Sequence, residues 1–284
     1  MTTLRTGIVA GMSEDEYHAI KAVSATALKA GRRSLAHMRY QMEVGREPSK
    51  AMLFGSLVDC LVFEPESFGG KYDATDLNLA TKDGIKFKAA AHERGLEVIK
   101  RKDFDAAMAA SLSIREHPEA ARLLNAPGIA QAVALWIDKE TGLYCKARID
   151  RYVAGIIALD LKTTKDASPF AFGRQCASLG YHLQVAWYAQ GFQAVSATDT
   201  PFVLIAVDNE PPFAAAVYSL PADMVAVGHR SCRNILAAFA KAQKSGEWPG
   251  YSRSIEELPM PAWAARDEMP LELVEDQADE DHSF

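Results

Sequence analysis

The apolar residues of this chain change their spacing once, at Asn125-Ala126-Pro127-Gly128. Before that point they recur every three to four residues, as on a helix that buries one face. After it they alternate, as on a strand. Ser24 is placed to cap a helix through SATALKAGRRSLAHMRYQM, and Ser49 a second through AMLFGSLVDCLVF that ends at Pro65. Residues 103–125 read as helix with a break at Pro118, while 68–84, with Gly69, Gly70 and several Asp and Asn, read as a loop. Residues 130–137 and 143–153 alternate on either side of a DKETG turn, and IIALDLKT follows as a third strand. Ser168-Pro169 opens helical spacing to about Val195 with a break near Gly180. Residues 201–207 and 213–220 read as two more strands, and Pro221 opens a last helix to about Lys244. A chain that must bury both helical stripes and sheet faces lays helices on a sheet. The expected class is α/β: a helical N-terminal region, then a central mixed sheet flanked by helices in the order αβββαβ.

Composition removes several classes. In 284 residues, 49% hydrophobic and 24% charged, there is enough apolar surface for a core and no sign of a fibrous or disordered chain. No apolar run approaches the roughly 20 residues of a membrane span, so no membrane association is expected. The opening MTTLRTGIVAGMSEDEY lacks the pattern of a secretory signal. Cys60, Cys145, Cys176 and Cys232 lie far apart, with no C-x-x-C pair. A cytoplasmic protein with free thiols is expected, and no nucleotide fingerprint such as G-x-G-x-x-G or a P-loop is present.

The net charge of −6 hides its distribution. Eight of the 37 acidic residues fall in 267–284, which hold no Lys or Arg, so 29 acidic face 31 basic residues in the rest of the chain. Between Lys82 and Lys102 there are seven basic residues (Lys82, Lys86 and Lys88 among them) against three acidic, and Lys29, Arg32, Arg33 and Arg39 form a second cluster. Local basic stripes are what phosphate binding requires, although solvated helix faces carry the same composition.

Strand parity selects the candidate chemistry. In the second strand Leu143, Cys145, Ala147 and Ile149 point one way, and Tyr144, Lys146, Arg148 and Asp150 the other. In the third, Asp160 and Lys162 share a face with Ile156 and Ala158. A carboxylate among apolar neighbours needs a cation. Two Asp and one Lys at the ends of adjacent strands suit metal-assisted phosphodiester cleavage, with carboxylates holding Mg²⁺ and Lys stabilising the transition state. They suit a structural Asp–Lys pair equally well. Gln184 and Tyr188, four apart, share one helical face.

Together, RID at 148–150, DLKT at 160–163 and Q-x-x-x-Y at 184–188 resemble the PD-(D/E)XK nucleases of the RecB-like branch. SATALK, FGSLVDCLVFEPE, TGLYCKARIDR, DLKTTKD, HLQVAWYAQGF and GEWPGY are similar to the C-terminal nuclease domain of the RecE, or exonuclease VIII, family over about residues 13–265. The resemblance implies a restriction-endonuclease-like core at 126–265 and a mainly helical part at 1–125 that contributes basic DNA-facing segments, while the run of carboxylates without Lys or Arg marks 266–284 as an acidic flexible tail. It implies that Asp150 and Asp160 are metal ligands and Lys162 is the catalytic lysine. The family usually carries a metal-binding His where this chain has Asp59, and a Glu where it has Gln131. Asp59 is expected to join the metal, and Gln131, Gln184, Tyr188 and Arg148 to lie behind the ligands or touch DNA. Lys29, Arg32, Arg33, Lys82, Lys86 and Lys88 are expected to meet phosphates.

The implied activity is Mg²⁺-dependent digestion of duplex DNA ends, 5′→3′, leaving 3′ single strands for phage-type recombination, with Mn²⁺ able to substitute. The implied partners are double-stranded DNA ends, a RecT-like single-strand annealing protein and further copies of the chain in a ring or tetramer, inside a bacterial or phage-infected cell. No iron–sulfur cluster is expected. A Cas4-like or other RecB-like nuclease and a catalytically silent DNA- or partner-binding homologue are the alternatives.

The acidic tail yields a test. Truncation after Arg266 is expected to leave the melting temperature almost unchanged and to tighten DNA binding at low salt, an effect that fades as salt rises. Isotherms of full-length and truncated protein at two salt concentrations measure it. Equal affinity at low salt would point instead to a docking role for the tail.

Overall fold

A computed structural model describes residues 4–45 and 49–260. The chain divides into residues 1–250, which hold every helix and strand among the described residues, and residues 251–284. Of the second unit, 251–260 run without helix or strand and expose Tyr251, Ile255, Leu258 and Met260. The acidic tail at 266–284 lies outside the described residues.

The N-terminal part begins with a short strand, β1 (Gly7–Val9), and α1 (Glu14–Ala19), both unforeseen from the sequence. The single helix expected from Ser24 is two, α2 (Ala25–Gly31) and α3 (Leu35–Glu43), because Ser34 leaves the helix and caps the second piece through the His37 N–H. Ser49 caps α4 (Lys50–Phe63), as its spacing suggests. The expected loop after it holds α5 (Phe68–Lys71) and β2 (Tyr72–Thr75). Thr81 then caps α6 (Lys82–Glu93), which leads to β3 (Glu97–Lys100). β2 and β3 pair in parallel as a separate two-stranded sheet, from Tyr72–Glu97 to Thr75–Lys100. α7 (Arg101–Glu116) and α8 (Pro118–Asn125) divide at Pro118 as expected.

The main sheet is β1-β4-β5-β6-β7-β8, with β4 (Ile129–Ile137), β5 (Tyr144–Val153), β6 (Ile157–Thr164), β7 (Phe202–Asp208) and β8 (Ala215–Ser219). All neighbours are antiparallel except β6 and β7, whose parallel link passes through α9 (Pro169–Leu179) and α10 (Tyr181–Ser196). Gly180, at φ +71°, makes the turn between those helices. α11 (Ala222–Ser245) completes the chain's helices. This is the mixed α/β sandwich expected, with helices on both faces of a six-stranded sheet.

One face meets α10, α11, α2 and α3. There Trp136 of β4 packs on Trp187 of α10 with ring centroids 4.8 Å apart, beside Leu183, Phe192, Leu236 and Phe239. On the other face, α4, α7 and α8 cover Leu159, Leu161, Ile205 and Val207. α1 covers the remainder, Val133 and Leu135, through Tyr17 and Ile20. The β5 face expected to be polar is therefore not open. Lys146 is buried, and its ammonium donates to the carbonyls of Tyr17 (2.7 Å) and Ile20 (2.9 Å) at the end of α1. Burial pushes it down to about 8. Among the described residues no helix is long and apolar enough to cross a membrane.

The β4–β5 turn is pinned by Asp138, 4% exposed, which accepts from the Thr141 N–H and hydroxyl and pairs with Arg233 of α11. Burial alone would raise this carboxyl. The Arg233 and Thr141 hydrogen bonds overcome it and hold the group below its ordinary 3.8. A depressed carboxylate contributes stability that is full above 3.8 and is lost as pH falls through the native value. Asp138→Asn is expected to cost about 1.5–3 kcal/mol at neutral pH. The gap should narrow on acidification below pH 3.8, and thermal melts across that range measure it.

Candidate active site

β5 and β6 pair only at Arg151–Leu159, Tyr152–Ala158 and Val153–Ile157, then part. Leu161 is left with a backbone N–H facing the gap, and Asp150 Oδ2 accepts it at 2.6 Å. The alternation of the sheet slips at the same level. The α10 face takes Cys145, Ala147 and Ile149 from β5 and then Tyr152, and it takes Ile129 from β4 and then Ala132, Ala134 and Trp136. The slip falls where Gln131 and Asp150 stand opposite each other, between the pairs Ala130–Arg151 and Ala132–Ile149. Gln131 makes it by adopting φ +49°, a left-handed conformation that costs a non-glycine residue about 1–3 kcal/mol. In that position its amide donates to Asp59 Oδ2 of α4 at 2.8 Å.

From the other side, β6 presents Asp160 and Lys162. Lys162 Nζ pairs with Asp160 Oδ2 and also donates to the Leu161 carbonyl at 3.2 Å. Asp160 Oδ1 accepts from Gln184 Nε2 of α10 at 3.3 Å, and the same nitrogen donates to the Tyr188 hydroxyl at 2.8 Å. The Q-x-x-x-Y pair thus lies behind the carboxylate, on the α10 face.

The electrostatics are those of charges gathered away from water. Burial, followed by the charge of Asp150, raises the Asp59 carboxyl, while Arg148 and Lys162 oppose the rise. Burial also raises Asp150 against the pull of Lys162, the Leu161 N–H and Arg148, and it lowers Lys162 against the pull of Asp150 and Asp59. Arg148 stands within 3.9 Å of exposed Glu14, and its Nε is buried with no hydrogen-bond partner among the described residues.

A PDDEXK-like domain of unknown function (DUF3799) matches residues 24–259. The chain belongs to that PDDEXK-like family. No curated protein sequence matches it. A provisionally assigned exonuclease from Eubacterium rectale has a crystal structure similar to this fold, at TM-score 0.60 and 13% identity, over 92% of this chain and 100% of that one. At that identity the likeness speaks to fold. The structure of SSO0001 overlaps at TM-score 0.30 and 14% identity, over 66% of this chain and 86% of that one, and carries no argument. Membership of the PDDEXK-like family supports a nuclease, and such domains usually work with divalent metals.

The donor chemistry of this PDDEXK-like site suits such an ion. Asp59 and Asp150 each have one oxygen bonded, to Gln131 and to the Leu161 N–H, and one without a hydrogen-bond partner among the described residues. Hard oxygen donors on two neighbouring, half-buried carboxyl groups fit Mg²⁺ or Mn²⁺. Asp160 is committed to Lys162 and Gln184. Among the described residues no three His, Cys, Asp or Glu side chains gather closely enough to hold a metal. The site is therefore a carboxylate pair with Asp160 held apart from it by Lys162.

The basic residues divide. Lys82, Lys86 and Lys88 are exposed on α6, with no ion pair among the described residues. Arg33 is exposed as well. Lys29 instead donates to Gln184 Oε1 at 2.9 Å, and Arg32 donates to the carbonyls of Ala177 and Ser178 at the end of α9. Both are used inside the fold. Two neighbours of the site escape a reading of sequence. Glu14 comes from a helix that the periodicity does not reveal, and Tyr181 belongs to none of the motifs.

The left-handed backbone at Gln131 makes a stability prediction that does not depend on the residue's role. Gln131→Val is expected to cost about 1–3 kcal/mol, because a β-branched side chain is poorly accommodated there, and Gln131→Asn less. Thermal denaturation of the two variants checks it, and equal melting would show that the left-handed conformation is not under strain.

Proposed function

We propose that this chain is a divalent-metal-dependent exonuclease that hydrolyses phosphodiester bonds at the ends of duplex DNA, 5′→3′, leaving 3′ single strands. The observation that carries the reading is the meeting of Asp150, through the gap between β5 and β6, with the Asp160–Lys162 pair in a PDDEXK-like domain. The motif stretches shared with the RecE family, and the fold shared with the Eubacterium rectale protein, support it further. A bound Mg²⁺ supplies charge stabilisation at a phosphoryl oxygen and acidifies water. Asp59 and Asp150, each with one carboxylate oxygen left unbonded, would hold it. Lys162 orients the attacking water and neutralises charge as it develops on the phosphate. Gln184 and Tyr188 keep Asp160 in place, and Arg148 meets a phosphate beside the scissile one. Lys82, Lys86 and Lys88 track the duplex backbone. The single strand released passes to a RecT-like annealing protein, and copies of the chain assemble as a ring around the duplex.

A silent DNA-binding role is the second reading, favoured by the absence of a three-carboxylate cluster among the described residues. End-labelled duplex incubated with Mg²⁺ or EDTA separates the two. Release of 5′ label with Mg²⁺ alone supports the nuclease, and tight binding with no release under either condition supports the silent module.

Asp150→Ala, Asp160→Ala and Lys162→Ala are each expected to reduce cleavage by at least about 100-fold with the fold retained. Asp150→Ala should also weaken Mn²⁺ binding, whereas Lys162→Ala should not. Asp59→Ala should raise the Mg²⁺ concentration for half-maximal rate, and Asp59→His should retain much of the activity. Native cleavage by Asp160→Ala would overturn the assigned site.

A further inference from the structure

Lys29 lies far from the strands in sequence and close to them in space. Its ammonium donates to Gln184 Oε1 at 2.9 Å, from α2 into the buried side of α10. A glutamine amide has a donor end and an acceptor end of nearly equal shape, so which end faces Asp160 is set by its partners. Lysine is a donor only and a carboxylate an acceptor only. The Lys29 bond thus turns Oε1 away from the site and leaves Nε2 to serve both Tyr188 and Asp160 Oδ1. Reversed, the amide would set one acceptor against Asp160 and a donor against the ammonium.

Tyr181 joins the same arrangement. The ammonium groups of Lys162 and Lys29 lie 5.1 and 5.6 Å from the centre of its ring. A ring face is a favourable neighbour for a cation that has lost water. Gln175, which favours the ionised Tyr181 hydroxyl against the effect of burial, accepts through its Oε1 from the Thr164 hydroxyl at 2.7 Å at the end of β6. The α9–α10 turn closes over the lysine stem. A Cβ at Gly180 would stand 3.4 Å from Lys29 Cγ and 2.7 Å from Arg32 Nη1. Arg32 holds the last carbonyls of α9.

We propose that Lys29 and Tyr181 are positioning residues for the Asp160–Lys162 pair: Lys29 fixes the direction of the Gln184 amide, and Tyr181 supports the Lys162 ammonium. This rests on the nuclease reading for its effect on rate and replaces a phosphate contact as the role of Lys29. Lys29→Met and Tyr181→Leu are expected to lower the single-turnover cleavage rate at saturating DNA by about 10–100-fold. Lys29→Arg, which keeps a donor, and Tyr181→Phe, which keeps the ring, should recover much of the loss. DNA affinity and its salt dependence should stay at the wild-type values.

A phosphate contact behaves in the opposite way. If Lys29→Met weakened DNA binding, reduced the salt slope by about one and left the saturated rate intact, the proposal would be overturned. A readout independent of activity keeps it separate from the nuclease reading. In thermal melts, Lys29→Met and Gln184→Leu should be non-additive in the double variant, as partners in one hydrogen bond are. Additive effects would dismiss the clamp even if the enzyme cleaves. Failure of the wild type to cleave, with coupling intact, would remove the nuclease reading and leave the clamp standing.

Discussion

A single backbone N–H that has lost its strand partner organises the site. Once β5 and β6 diverge beyond Leu159, the amide of Leu161 faces a gap, and an unsatisfied buried amide costs about 1–3 kcal/mol. Asp150 meets that need with its carboxylate. The bond closes the gap and fixes Asp150 at the level of Asp160 and Lys162, where the ladder between the two strands has ended. The left-handed turn at Gln131 belongs to the same event, because it moves β4 and β5 out of alternation together and directs the Gln131 amide to Asp59. Strain at one residue and a missing ladder bond at another are both offset by contacts among the four site residues.

Charge follows from that geometry. Three ionisable groups stand where solvent is scarce, and burial drives each toward its neutral form: Asp59 and Asp150 upward, Lys162 downward. Opposite charges restrain the shifts, so each group depends on the others for its ionisation. Asp160 is the member most fully enclosed by partners, with Lys162 on one oxygen and Gln184 on the other. Asp59 and Asp150 keep the free oxygens. The cationic demand of the site that Lys162 leaves unmet therefore falls on Asp59 and Asp150.

Much of this was legible in residue order. The β4–β5 hairpin, the D-x-K strand and the i, i+4 relation of Gln184 to Tyr188 all follow from period and spacing, and the structure contains each. The junction was not legible. The end of β5–β6 pairing beyond Arg151–Leu159 has no signature in either strand, and nothing in the residues Ala130-Gln131-Ala132 announces a left-handed backbone where glycine or asparagine is the usual occupant. α1 was missed because six residues are too few to establish a period, although Ser13 and Glu16 form a complete capping box. The two-stranded sheet was missed for a related reason. Four-residue strands separated by a helix carry too little alternation to stand out from loop.

Basic residues show why charge counting by sequence overstates a nucleic-acid surface. The cluster at 29–33 and the cluster on α6 look alike in composition. In the fold they differ by what their donors already meet. Lys29 and Arg32 sit against the ends of α9 and α10, where carbonyl groups and an amide oxygen accept them, and a cation at a helix C-terminus is favoured whether or not DNA is present. α6 buries only Gly84 and Ala91, so its lysines have little protein to bind and remain available to a polyanion.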